Sequence, residues 1–216
     1  MNELLHMLLS FFFTKDVFLY QKILKIHEQE LIKITGSNLR DKDFLYMLPY
    51  TNYTKDVMWS FKFKNNQSVA NLFGRLLYET LPDHLIRWEQ FEGFTDPLLL
   101  IVPSSKQTLR IRGYNQNDLI VHSFLKQGGD AFVTHLPKAL KKIKNIPKQS
   151  RTRSRQERLK NPKGTFAIAN THLPAIKNRN IILFDDVLTT GATTKEIKKL
   201  LLKAGASQIK IIVITH

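Results

Sequence analysis

The stretch NIILFDDVLTTGATTKEIKKLLLKAGA, beginning at Asn180, constrains the fold more than any other part of the chain. Four apolar residues, Ile181 to Phe184, predict a strand buried on both faces. Such a strand has no use for two adjacent carboxylates, so Asp185 and Asp186 are expected to leave the sheet at its carboxyl edge. There they are acceptor-only groups suited to vicinal hydroxyls or to the outer shell of a cation. Thr189, Thr190, Gly191, Ala192 and Thr193 follow, all small or hydroxylic, and Gly191 permits backbone conformations closed to other residues. A helix is expected to begin at Thr193, with Glu196 three residues later completing a capping box. Its exposed N–H groups and positive dipole end would meet the threonine hydroxyls at one place, a cradle for phosphate. Ile197, Leu200, Leu201 and Ala204 take the core face, and Gly205 ends the helix.

The rest of the chain repeats this alternation from about Asp56 onward. Residues 66–81 place Val69, Leu72, Phe73, Leu76 and Leu77 at helical spacing, with Pro82 marking the stop. LLLIV (98–102) reads as a second buried strand, followed by a polar loop carrying Ser104, Ser105, Lys106, Arg110 and Arg112. NQNDLIVHSFLKQ reads as a helix closed by Gly128 and Gly129, and AFVTHL, GTFAIA and QIKIIVIT supply further strands. Strand, loop, helix and strand in this order predict an α/β fold with a mainly parallel sheet flanked by helices. Ligands on such sheets bind outside the carboxyl ends of the strands.

The net charge of +15 is unevenly placed. Residues 138–163 hold eleven basic side chains against Glu157 alone, so two thirds of the excess lies in 26 residues. That stretch should attract polyanions such as pyrophosphate or nucleic acid, with Arg151, Arg153, Arg155, Arg158 and Lys160 as candidates, or else form a solvated loop. The absence of cysteine excludes disulfides, thiolate metal sites and a cysteine nucleophile. The opening MNELLHMLLSFFFTKD has an apolar run, but Glu3 precedes it, no Lys or Arg does, and no small-residue cleavage site follows. Interrupted by His6, it is too short for a bilayer span, so a buried or docking helix and a cytoplasmic location are expected.

FDDVLTTGATTKE resembles the phosphoribosyl-pyrophosphate signature of type I phosphoribosyltransferases. The resemblance implies that Asp185 and Asp186 hold the ribose hydroxyls, and that Thr189, Thr190, Gly191, Ala192 and Thr193 hold the 5-phosphate. Over residues 56–216 the chain is also similar to the ComF family of competence-associated proteins. VPSSKQTLRIRGYNQN and RTRSRQERLKNPKGTFAI carry that likeness together with DDVLTTGATTKE. By the same resemblance the loop at Pro103 to Lys106 receives pyrophosphate, with Arg110 and Arg112 near enough to assist, and the basic stretch sits where this fold class has a closing loop. Residues 1–55 occupy the place of a four-cysteine zinc module that many ComF proteins carry and that this chain cannot build. Residues 56–216 then form the phosphoribosyltransferase-like domain.

The resemblance implies phosphoribosyl pyrophosphate as ligand and Mg²⁺ as its companion, with no direct protein ligand to the metal and no catalytic base assigned. Two functions stay open: a transferase that moves the phosphoribosyl group to an acceptor, and a non-enzymatic competence factor. The second would contact single-stranded DNA or a DNA-processing partner through the basic stretch, with steep salt dependence. Tyr114 and Phe166 are the nearest aromatics that could stack bases. A ligand-responsive regulator ranks last, because residues 1–55 show no recognition helix.

Overall fold

Seven strands and six α-helices organise the described residues of the computed structural model, which are 43–49, 51–64, 67–143 and 164–215. In chain order they are β1 (Phe44–Leu48), α1 (Asn52–Lys64), α2 (Gln67–Glu92), β2 (Leu98–Ile101), α3 (Lys106–Arg112) and α4 (Gln116–Lys126). Then follow β3 (Thr134–His135), β4 (Leu140–Lys142), β5 (Phe166–Ile168), α5 (Leu173–Ile176), β6 (Ile181–Val187), α6 (Ala192–Lys203) and β7 (Ile209–Thr215). The main sheet runs β1-β7-β6-β2-β3 with every neighbouring pair parallel, while β4 and β5 form a separate antiparallel pair. The α/β class with a mainly parallel sheet is the one the sequence predicts.

The two central strands are apolar on both faces because both faces are covered. Ile182 and Phe184 of β6 join Ile212 and Ile214 of β7 and the buried sides of α1, α2 and α4. Ile181 and Leu183 point the other way, into a second core with Ile197 and Leu201 of α6, Ile176 of α5, and Leu140 and Phe166 of the β4–β5 pair. Period-two alternation along β6 therefore builds a three-layer arrangement.

Several local expectations are corrected. The helix predicted to stop at Pro82 continues through it to Glu92. Proline removes one backbone donor from a helix interior. Beyond it, however, Trp88 is buried and packs edge-on against Phe94, with ring centroids 5.7 Å apart, so tertiary burial overrides the break. The polar loop expected after β2 is a seven-residue helix, α3, because Ser105 caps it: its hydroxyl accepts from the Thr108 N–H at 3.0 Å, and Gly113 closes it at φ 81°. The sheet also takes a strand from before residue 56, since β1 pairs with β7 from Phe44↔Ile211 to Leu48↔Thr215. Part of the basic stretch, Leu140–Lys142, is strand. His6, the N-terminal apolar run, and Arg151, Arg153, Arg155, Arg158 and Lys160 lie outside the described residues. Among the described residues no helix is long and apolar enough to cross a membrane.

Candidate functional site

The site forms where neighbouring strands end at different heights. β2 stops at Ile101, opposite Phe184, and the last rung on that side is the Val102 N–H donating to the Phe184 carbonyl at 3.0 Å. β6 runs on to Val187 beside the longer β7, with Asp185 opposite Val213 and Val187 opposite Thr215. Asp185 and Asp186 thus remain in the β7 ladder instead of leaving the sheet, which corrects the sequence expectation. They are half-buried because the gap left by β2 is filled by the first turn of α4. From that turn the Asn117 amide donates to Asp185 Oδ1 at 3.0 Å and to the Val102 carbonyl at 3.2 Å. Asp185 Oδ1 also accepts from the Asp186 N–H at 3.0 Å.

Past β6 the chain enters the Thr-Gly loop. The expected capping box does not form. Gly191, at φ 68°, is the N-cap residue and Ala192 begins α6. Glu196 instead reaches across to the neighbouring pair of strands, where its Oε1 accepts from the Thr165 N–H at 2.8 Å. Thr194 is buried and donates to the Gly191 carbonyl at 3.0 Å, and Thr190 Oγ1 accepts from the Ala192 N–H. A left-handed residue suits glycine alone at low cost, and it turns the loop directly into the helix. Thr189, Thr190, Gly191, Ala192 and Thr193 line one small concavity of about 40 Å³, together with Asp185.

A larger cleft of about 390 Å³ adjoins it, sharing Asp185 and Thr193. Its lining includes Ser104, Ser105 and Arg112 from the segment after β2, Asp185, Asp186 and Thr193 from the end of β6 and the start of α6, and Lys142 and Phe166 from the β4–β5 pair. Ser104 donates to Asn115 Oδ1 at 2.7 Å, and Arg112 Nη1 donates to Gln116 Oε1 at 2.7 Å. Of the sequence candidates for pyrophosphate, Ser104, Ser105 and Arg112 are therefore brought together with the carboxylates. Lys106 lines a neighbouring cavity of about 510 Å³, and Arg110 lines none of these cavities. That neighbouring cavity contains Asp118, whose carboxyl is raised above its ordinary value by burial, against the opposing pull of the Asn115 hydrogen bond and Lys138.

Asn115, Gln116, Asn117 and Lys142 are site residues that sequence reasoning did not single out. The signal in the sequence was three consecutive amides, Asn115 at the N-cap and Gln116 and Asn117 opening α4. All three are buried, which amides rarely are without a task in the local hydrogen bonding. Among the described residues no group of three or more His, Asp or Glu could hold a metal ion by itself.

Residues 111–216 match the phosphoribosyl transferase domain family. The chain is 33% identical over 153 residues to Competence protein F of Haemophilus influenzae, covering 70% of this chain and 62% of that protein. It is 28% identical over 155 residues to Competence protein ComFC of Streptococcus pneumoniae, covering 68% and 63% respectively. It is 26% identical over 163 residues to the DNA utilization protein YhgH of Salmonella typhi, covering 75% and 66%. The match therefore spans less than two thirds of the length of these curated relatives.

Proposed function

We propose, for a chain that is a ComF-family protein with a phosphoribosyltransferase domain, that the cleft and the adjoining cradle bind 5-phosphoribosyl-1-pyrophosphate with Mg²⁺ in the service of natural competence. One observation carries the reading: Asp185 lines both the cleft, which also holds Asp186 and the cations Arg112 and Lys142, and the concavity at the glycine-capped start of α6. A ligand matching that order has an anion at each end and hydroxyls in the middle. The 5-phosphate would take the Thr189–Thr193 loop and the start of α6, whose N–H groups and dipole favour an anion. The ribose hydroxyls would donate to Asp185 and Asp186, and the diphosphate would lie toward Ser104, Ser105, Arg112 and Lys142.

The residues present suit Mg²⁺ bound with such a donor. Asp185 and Asp186 place two carboxylates beside the sugar position, and oxygen donors of this kind suit an ion that keeps waters and binds largely through substrate phosphates. When bound, Mg²⁺ would offset charge on the diphosphate as it leaves. In a transferase an acceptor lone pair would form the bond to the anomeric carbon as the carbon–oxygen bond to pyrophosphate breaks. The bonding pair would depart on pyrophosphate, and any proton on the acceptor would pass to solvent. The chain's own contribution is positioning and electrostatic stabilisation.

The names of the relatives, two competence proteins and a DNA utilization protein, support a role in DNA uptake or transformation. A non-enzymatic factor that binds the same ligand and contacts single-stranded DNA through the basic stretch 138–163 is the second reading, favoured by the charge of that stretch. Pyrophosphate release from phosphoribosyl pyrophosphate and Mg²⁺, followed across a panel of nitrogen and phosphate acceptors, separates the two. Turnover that vanishes in Asp185→Asn/Asp186→Asn makes the protein a transferase. Ligand binding without turnover, beside salt-sensitive DNA binding, supports the second reading.

A further inference from the structure

Two side-chain atoms at the cleft are buried without a hydrogen-bond partner among the described residues: Gln116 Nε2 and Asn117 Oδ1. Their residues are 5% and 4% exposed, and both line the cleft. The assignment of nitrogen and oxygen in each amide follows from its neighbours. Arg112 donates to Gln116 at 2.7 Å, and a guanidinium has no acceptor, so the bonded Gln116 atom is the oxygen and the orphan is an N–H donor. Asn117 meets the Val102 carbonyl at 3.2 Å and Asp185 Oδ1 at 3.0 Å, two acceptors, so its nitrogen faces them and the orphan is an acceptor oxygen. An unmade bond at a buried polar atom carries the full desolvation penalty of the group, and two such atoms side by side in one helical turn point to a ligand that completes them.

Their surroundings sort them. Gln116 is tied to the cation Arg112, whose charge favours an anion in the cleft that both residues line. Asn117 is tied to Asp185, beside Asp186, where the excess is of acceptors. We propose that Gln116 and Asn117 are ligand-contacting specificity residues that fix which way round a C1-diphosphorylated sugar lies: Gln116 donates to the diphosphate, and Asn117 accepts from a sugar hydroxyl. The inference rests on the phosphoribosyl-pyrophosphate reading and adds two contacts to it. A ligand entering in the opposite sense would set hydroxyl donors against Arg112 and Gln116 and diphosphate oxygens against three side-chain acceptors, which like-charge repulsion disfavours.

Calorimetry with three probes in Mg²⁺ tests it: phosphoribosyl pyrophosphate, inorganic pyrophosphate, and ribose 5-phosphate. Gln116→Glu keeps the volume and the partner for Arg112 but replaces the orphan donor with an acceptor. It should weaken phosphoribosyl pyrophosphate and pyrophosphate about tenfold or more, and leave ribose 5-phosphate within about twofold of wild type. Asn117→Ala should weaken phosphoribosyl pyrophosphate and ribose 5-phosphate by about tenfold and spare pyrophosphate. If Asn117→Ala does not fold, the Gln116→Glu pattern decides alone. Wild-type binding with both variants weakening all probes equally, or weakening none, makes the two amides structural and overturns the inference while the site reading stands. A wild type that binds none of the probes overturns the site reading itself, and this inference with it.

Discussion

Gly74→Ala links packing to function in one substitution. Gly74 lies on α2 where α4 crosses it, and a methyl group there would sit 2.5 Å from Ser123 Cβ, 2.6 Å from Ser123 Oγ and 2.8 Å from the Phe124 backbone nitrogen. Rotating Ser123 removes only the second of these contacts, because the other two are fixed to the α4 backbone. The helices must separate by roughly 1 Å to reach ordinary contact, and a gap of that size forfeits a quarter to a half of each dispersion well across the interface. Phe73, Leu77, Ile120 and Phe124, all buried at 1% exposure or less, pack in that core. Overpacking of this kind costs about 3 kcal/mol, the upper part of the usual range, since backbone must yield. Urea unfolding followed by far-ultraviolet circular dichroism should show a lower midpoint at unchanged slope, and the melting temperature should fall by about 6–12 °C. Because α4 begins with Gln116 and Asn117, affinity for phosphoribosyl pyrophosphate should fall as well. A stability loss below about 0.5 kcal/mol, the size of a neutral surface change, refutes the packing argument.

Two further outcomes follow from local chemistry. Glu196→Ala should cost about 2 kcal/mol by removing the charged acceptor of the Thr165 N–H, while Glu196→Gln keeps an acceptor oxygen and most of the stability; hydrogen exchange should quicken at Thr165, and quickening confined to residues 192–195 would favour the capping box instead. Burial holds His135 below its ordinary 6.5, so the folded state takes up a proton less readily than the unfolded chain. That contribution to stability is complete above about pH 6.5 and declines as pH falls below it, so His135→Leu should flatten the urea-midpoint profile there, and an unchanged slope counts against it.

The sequence announces the centre of the fold and conceals its edges, for physical reasons that differ by element. β6, the Thr-Gly loop and α6 are legible because an apolar run, a carboxylate pair and a glycine each have few structural uses, and here they come in succession. β1 escapes notice because FLYML is five residues long, flanked by Asp43 and Pro49, and gains its strand character from pairing with β7. α3 escapes notice because none of its residues is buried, so no apolar periodicity marks it; only the Ser105 cap and Gly113 do. The continuation of α2 past Pro82 depends on the burial of Trp88 against Phe94, a contact no local pattern encodes. At the candidate site the acids stand out in the sequence, whereas the amides beside them show only as a run of three without a visible partner. Asn117 acts across 68 residues of sequence on Asp185, and amides in a first helical turn otherwise read as solvent-facing caps.

Everything proposed for this chain depends on whether the cleft at Asp185 and Asp186 binds phosphoribosyl pyrophosphate. Calorimetric titration of that compound with Mg²⁺ into the wild type and into Asp185→Asn/Asp186→Asn tests it most directly. We expect saturable one-to-one binding to the wild type that is lost, or weakened at least about a hundredfold, in the double variant, as two charge-assisted contacts require. Equal binding to both proteins, or no binding to the wild type, contradicts it.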